Sequence, residues 1–238
     1  MFDLNSYREC NQKIIKLLTN MPESGKGYIL DGIKNPAIYA EQKLKLLFVL
    51  SEGYDKAIWP FINIEVEEQY PIERKKKIFS SHWKSRTMKN VLKLSFNLLN
   101  ASNMTEYQQT NSIFNKEKGF ETLQKIAWIN VKKSSNRQSE QDNNLIYNTA
   151  KQNKDILELQ IEAIKPDLIL LCGNSVISAF VDSQILGAKF GSKKQILQKI
   201  NDKNVICLYH PAARPNKLKQ KRWDEIKIFE TIKNNFSF

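Results

Sequence analysis

Tyr209-His210-Pro211-Ala212-Ala213-Arg214-Pro215 sets an imidazole and a guanidinium in one short run, directly after the apolar stretch Asn204 to Tyr209. An imidazole can donate to or accept from a reacting atom near neutral pH, and a guanidinium pairs with phosphate. Three more polar groups follow apolar stretches in the same way. Ser51-Glu52-Gly53-Tyr54-Asp55 follows Lys43 to Leu50, Asn130 closes the run that starts at Ile126, and Gly173-Asn174-Ser175 follows Asp167 to Cys172. Glu52 brings a carboxylate, a side-chain amide offers both a donor and an acceptor, and a helix start after glycine offers free backbone N–H groups. Each residue also has a purely structural alternative. Asn130 can bond a neighbouring loop, Glu52 can be a solvated charge, His210 can be a satisfied structural histidine, and Ser175 fits a helix N-cap better than a nucleophile, because no Gly-x-Ser-x-Gly elbow surrounds it.

The elements that must carry these groups are legible from periodicity. The runs 43–50, 126–131, 167–172 and 204–209 read as strands, and their continuous apolar character fits strands covered on both faces. Helical spacing predicts helices over 4–20, 88–99, 145–164, 175–181 and 218–232, with Pro166 stopping the third. Residues 51–82 are mixed and 100–124 are polar and ambiguous. Strands that alternate with helices imply an α/β fold with a parallel or mostly parallel sheet. In such sheets ligands bind outside the carboxyl ends of the strands, the place where all four polar groups fall. No internal repeat or domain boundary is visible, so a single domain over 1–238 is expected, with 51–125 as an insertion between the first two strands.

The chain has 238 residues, enough for a full core. Lys and Arg number 37 against 25 Asp and Glu, a net charge of +12. That excess favours a polyanionic partner, nucleic acid first, although a solvated lysine-rich surface gives the same number. Cys10, Cys172 and Cys207 form no CxxC pair, which argues against a local zinc or iron–sulfur site and for a reducing compartment. Cys172 and Cys207 sit in apolar runs and read as core residues. The longest apolar runs, such as Leu46 to Leu50, fall far short of the roughly 20 residues that span a bilayer. No charged start followed by an apolar core marks a secretory leader, so a cytoplasmic protein is expected.

With these residues in place, the sequence resembles the uracil-DNA glycosylase superfamily. Ile126-Ala-Trp-Ile-Asn130 followed by the basic loop through Arg137 is similar to the family's strand that ends in Asn. Lys165 to Ser175 is similar to its Gly-Asn strand exit, Tyr209 to Pro215 to its His-Pro-Ser/Ala motif, and Trp223 to Lys227 to its closing helix. Order and spacing agree from about residue 120 onward, and more loosely from residue 43. The first motif departs from the pattern. The family has Gly-Glu/Gln-x-Pro-Gly/Tyr, whereas this chain has Ser51-Glu52-Gly53-Tyr54-Asp55, with Gly53 where one branch places its water-orienting Asp.

The resemblance implies a three-layer α/β/α fold around a mostly parallel four-stranded sheet, a DNA partner, and no cofactor beyond water. It implies that a damaged base is flipped out of the DNA and cleaved from its sugar. Asn130 then reads the base, His210 stabilises charge developing on the base O2, and Glu52, or else Asp55, orients the water or offsets the cationic sugar. The ring that stacks on the base is left open among Tyr54, Phe61, Phe79 and Trp83, each of which also suits core packing. Arg214 falls where the family inserts a side chain into the duplex, and Lys217, Lys219, Lys221 and Arg222 follow it. Lys132, Lys133 and Arg137 extend the basic surface along the next rim loop. Ser51, Gly53, Asn174 and Ser175 complete the expected rim, on a chain expected to act as a monomer. Two other functions compete. One is a glycosylase-fold protein that binds DNA without chemistry, favoured by the altered first motif. The other is a hydrolase using Ser175 and His210.

Overall fold

The structure is a computed structural model that describes residues 2–20, 31–51, 71–133, 143–187, 190–192, 194–213 and 223–235. Among these, α1 is Leu4–Thr19, β1 Gly32–Ile33, α2 Pro36–Ala40 and β2 Leu46–Leu50. Four helices follow, α3 Ile72–His82, α4 Arg86–Asn100, α5 Met104–Ile113 and α6 Lys116–Leu123. Then come β3 Ala127–Asn130, α7 Asn143–Gln152, α8 Lys154–Ile164, β4 Leu168–Cys172, α9 Asn174–Asp182, β5 Leu197–Ile200, β6 Lys203–Leu208 and α10 Glu225–Asn235.

The sheet order is β1-β3-β2-β4-β6-β5. The middle four strands are parallel neighbours and are the four read from the sequence. Two short strands missing from that reading, β1 and β5, flank them antiparallel at the edges. They escaped because β1 is only Gly32–Ile33 and β5 is the half-exposed Leu-Gln-Lys-Ile, neither of which makes an apolar run.

Alternation along each strand divides the core between two faces. Leu47, Val49, Ala127, Ile129, Ile169, Leu171, Val205 and Cys207 pack with Tyr7 of α1, Ile146 of α7, Leu157 and Ile161 of α8, and Val176 and Phe180 of α9. Leu46, Phe48, Leu50, Trp128, Leu168, Leu170, Cys172, Ile206 and Leu208 pack with Phe79 of α3, Val91 and Leu92 of α4, Tyr107 of α5, Phe120 of α6, and Ile228 and Phe229 of α10. The result is a three-layer α/β/α arrangement. Every residue of β2 and β4 is buried, which explains why their sequences run apolar without a polar face.

Three helical expectations change. The stretch 100–124 carries two helices that its polar composition hides. Asn103 and Asn115 start them by accepting from the N–H groups of Glu106 and Lys118 at 3.0 and 2.9 Å. The helix read over 145–164 is two helices, α7 and α8, because Asn153 leaves helical geometry and donates its amide to the Val131 carbonyl at 3.1 Å. Ser175 is not an N-cap: Gly173 holds that position and Ser175 lies inside α9.

Cys172 and Cys207 are fully buried and unpaired, whereas Cys10 is half-buried on α1. Burial pushes the Cys172 thiol far up and the Cys207 thiol to about 11. A thiol reagent at pH 8 is therefore expected to label Cys10 rapidly in the native protein and the other two only after denaturation. Fast native labelling of more than one cysteine would contradict this packing.

Among the described residues, no helix is long and apolar enough to cross a membrane, and no cluster of His, Cys, Asp and Glu has the makings of a metal site.

Candidate active site

Strand register brings the expected residues to one end of the sheet. Leu50 pairs with Asn130, Val49 with Leu171, and Cys172 with Leu208. The tips of β3, β2, β4 and β6 are therefore level. Pairing also runs past the strand ends, with the N–H groups of Val131 and Lys132 donating to Leu50 and Ser51 carbonyls at 2.8 and 2.9 Å. Ser51, Asn130, Gly173 and the Tyr209-His210 exit thus share one rim. Three interstrand spacings separate the Asn130 and Leu208 backbones, about 14 Å in all.

His210 is the best-defined of these groups. Gly173 has φ +107° and ψ 153°, a conformation open to glycine and strained for other residues. A Cβ there would stand 3.6 and 3.7 Å from His210 Cβ and Cδ2, so the imidazole lies against the glycine at the β4–α9 turn. The Ala212 N–H donates to His210 Nδ1 at 3.1 Å, and the Ala213 N–H to the His210 carbonyl at 2.8 Å. Asn90 of α4 secures the turn from outside, donating to the Pro211 carbonyl at 2.5 Å. Because Nδ1 accepts a backbone proton, the neutral ring carries its own proton on Nε2. Burial lowers the His210 pKa from its ordinary value, which favours that neutral form.

Asn130 is 7% exposed, and its surroundings include a residue that sequence reasoning missed. Asp31, directly before β1, is 2% exposed. Its Oδ2 accepts from the Asn130 backbone N–H at 2.5 Å and from Asn130 Nδ2 at 3.0 Å. Its Oδ1 accepts from Lys133 Nζ at 2.6 Å and from Gln160 Nε2 at 3.0 Å, and Gln160 also reaches the Asp31 carbonyl at 2.8 Å. The cluster joins β1, β3 and α8 beneath the rim. An acid flanked by Leu30 and Gly32 was the only sequence signal for it.

A match to the uracil DNA glycosylase superfamily model covers residues 65–233, more than two thirds of the chain. The chain belongs to the uracil-DNA glycosylase superfamily. No curated protein matches it. The superfamily generally comprises DNA N-glycosylases, hydrolases that act on DNA, and the matched span contains Asn130, Gly173 and His210.

Not every expected residue sits where a superfamily site needs it. Lys132 and Lys133, expected on an exposed basic rim, are 4% and 1% exposed, and Lys133 is spent on Asp31. Burial lowers the Lys133 pKa, and the Asp31 carboxylate opposes that shift. Phe79 is core, packed on Trp83 and Phe120, and Trp83 belongs to the same aromatic cluster with Phe114. Asn174 is exposed at the start of α9 and Ser175 is half-buried. Glu52, Gly53, Tyr54, Asp55, Phe61, Arg137, Arg214, Lys217 and Lys219 lie outside the described residues, as do Lys221 and Arg222. Lys84, Arg86 and Lys89, which the sequence reading did not single out, are exposed at the start of α4, the helix that holds the Pro211 turn.

Proposed function

We propose that the chain is a DNA glycosylase that hydrolyses the N-glycosidic bond of uracil or another damaged base flipped out of DNA, acting as a cytoplasmic monomer with water as its only co-substrate. The observation that carries this reading is the hydrogen bond from the Ala212 N–H to His210 Nδ1, which fixes the tautomer of the neutral ring. A ring with Nδ1 filled by the Ala212 N–H presents Nε2–H as a fixed donor at the rim. As the bond from sugar C1′ to base N1 breaks, its electron pair passes to the base and charge builds on O2, where such a donor is most useful. Asn130 reads the base edge from the other side of the rim. Water adds to C1′ and gives its proton to a carboxylate, for which Glu52, two positions after Leu50 in the sequence, is the candidate, with Asp55 the alternative. The basic residues after His210 and the exposed Lys84, Arg86 and Lys89 supply phosphate contacts.

The same tautomer argues against a serine hydrolase. The ring nitrogen that could take a proton from Ser175 is already occupied by a backbone donor. A DNA-binding protein without chemistry is the second reading, favoured by the departure of Ser51-Glu52-Gly53-Tyr54-Asp55 from the family's first motif.

The deciding experiment incubates the protein with single- and double-stranded oligonucleotides that carry uracil or a panel of deaminated and oxidised bases, then cleaves abasic sites with alkali. Strand cleavage is expected at one of these bases. Asn130→Ala is expected to lose it by roughly 10- to 100-fold, the value of a bidentate base contact, while still binding DNA. Salt-dependent binding with every base intact would establish the second reading instead.

A further inference from the structure

Asp31 has a task that burial alone does not explain. Each of its carboxylate oxygens accepts from two donors, and three of the four are side-chain or backbone groups of Asn130 and Gln160 rather than the lysine. A carboxylate with all four positions filled by donors accepts only. It therefore distinguishes the two ends of the Asn130 amide. Nδ2 can face it, but a flipped amide would set Oδ1 against a carboxylate oxygen, with two acceptors in contact and a buried hydrogen bond lost. One Nδ2 proton is thus committed to Asp31, leaving Oδ1 and the second Nδ2 proton for a ligand.

We infer that Asp31 is a positioning residue that locks the Asn130 amide in one orientation and so restricts the site to bases presenting a ring N–H beside a carbonyl. This rests on the proposal that Asn130 reads the flipped base. The fixed pattern is an acceptor next to a donor. Uracil matches it, with N3–H directed to Oδ1 and O4 to the Nδ2 proton. Hypoxanthine has the same ring N–H and carbonyl pair. Cytosine carries the reverse, a ring acceptor beside an amino group, and would need the flipped amide that Asp31 forbids. Gln160 and Lys133 serve this arrangement by filling the other oxygen, so that the carboxylate cannot rotate away from Asn130.

The test separates recognition from chemistry. Single-stranded oligonucleotides with one 2′-fluoro-deoxyuridine or one 2′-fluoro-deoxycytidine resist cleavage and involve no pairing partner. Their affinities for the full-length protein are measured by fluorescence anisotropy. Wild type is expected to prefer the uracil probe by tenfold or more, the scale of a matched bidentate contact. Asp31→Asn, whose amide can present either a donor or an acceptor, is expected to bring the ratio to within about threefold of unity by gaining cytosine affinity. A purely structural role would weaken both probes alike. Because Asp31→Asn leaves Lys133 unpaired, the double variant Asp31→Asn with Lys133→Met is measured beside it and is expected to show the same loss of preference. A preference retained in either folded variant, or absent from wild type, overturns the inference. If the preference is present and Asp31-dependent but no cleavable probe loses its base, recognition stands and only the glycosylase reading falls.

Discussion

Asp31→Ala is expected to destabilise the protein by about 3–5 kcal/mol, the usual cost of removing one partner from a buried ion pair. Lys133 is 1% exposed and sits 2.6 Å from the carboxylate. Without Asp31 its ammonium has no counter-charge among the described residues, and the Asn130 amide loses its acceptor in the same stroke, while Gln160 keeps only the backbone carbonyl of residue 31. The folded state then holds Lys133 best as a neutral amine. Burial already lowers its pKa in the intact protein, and losing the opposing Asp31 charge lowers it further. A depressed lysine pKa contributes stability above the unfolded value of 10.5 and loses it as pH falls through the folded value. The deficit of the alanine variant should therefore be smallest near pH 10 and largest at neutral and acid pH. Adding Lys133→Met removes the stranded charge, so the double variant should be more stable than Asp31→Ala alone. Urea unfolding of the three proteins at two pH values measures both effects. An Asp31→Ala variant within 1 kcal/mol of wild type would show that the pair contributes nothing.

The contrast between Asp31 and the residues found from sequence is physical. The four parallel strands were legible because strands covered on both faces have no choice but to be apolar, and the rim followed from where those strands end. Asn130 and His210 were legible because each stands directly at such an end. Asp31 stands before the two-residue strand β1, and its partners Asn130, Lys133 and Gln160 lie roughly a hundred or more positions further along. No local period or spacing encodes a contact of that range. Lys132 and Lys133 were misplaced for a related reason. A lysine pair after a strand normally points to water, and only the carboxylate brought by β1 makes it worthwhile to bury Lys133. The helices α5 and α6 were hidden because their stability comes from asparagine caps and one packed side each, Tyr107 on Phe229 in α5 and Phe120 on Phe79 in α6, not from a long apolar stripe. Gly173 was seen as a turn, but its second role emerged only in three dimensions. Its φ of +107° calls for glycine at the turn against which the His210 ring packs.

His210→Ala is expected to lower the single-turnover rate of base release by about 100- to 1,000-fold, the range for removing one fixed donor to a developing anion. DNA affinity should stay within about threefold, because the phosphate contacts come from other residues. His210→Gln keeps a side-chain N–H that can reach the same region, so its rate should fall between those of wild type and alanine. The mechanism further requires the donor to be a neutral imidazole. Burial lowers the His210 pKa below the ordinary 6.5, and the bond from Ala212 to Nδ1 exists only while that nitrogen is unprotonated. A depressed folded pKa means that His210 contributes stability above about pH 6.5 and loses it as pH falls through the folded value. An NMR titration of the His210 ring should therefore show a midpoint below 6.5, with the proton on Nε2 throughout the neutral range. Protonation on the acid side breaks the Ala212 bond and frees the turn held by Asn90. Base release should therefore be steady from pH 8 to 6.5 and decline below that midpoint only as the turn loosens. A midpoint above 6.5, or a neutral ring protonated on Nδ1, would remove the fixed donor on which the proposed chemistry depends.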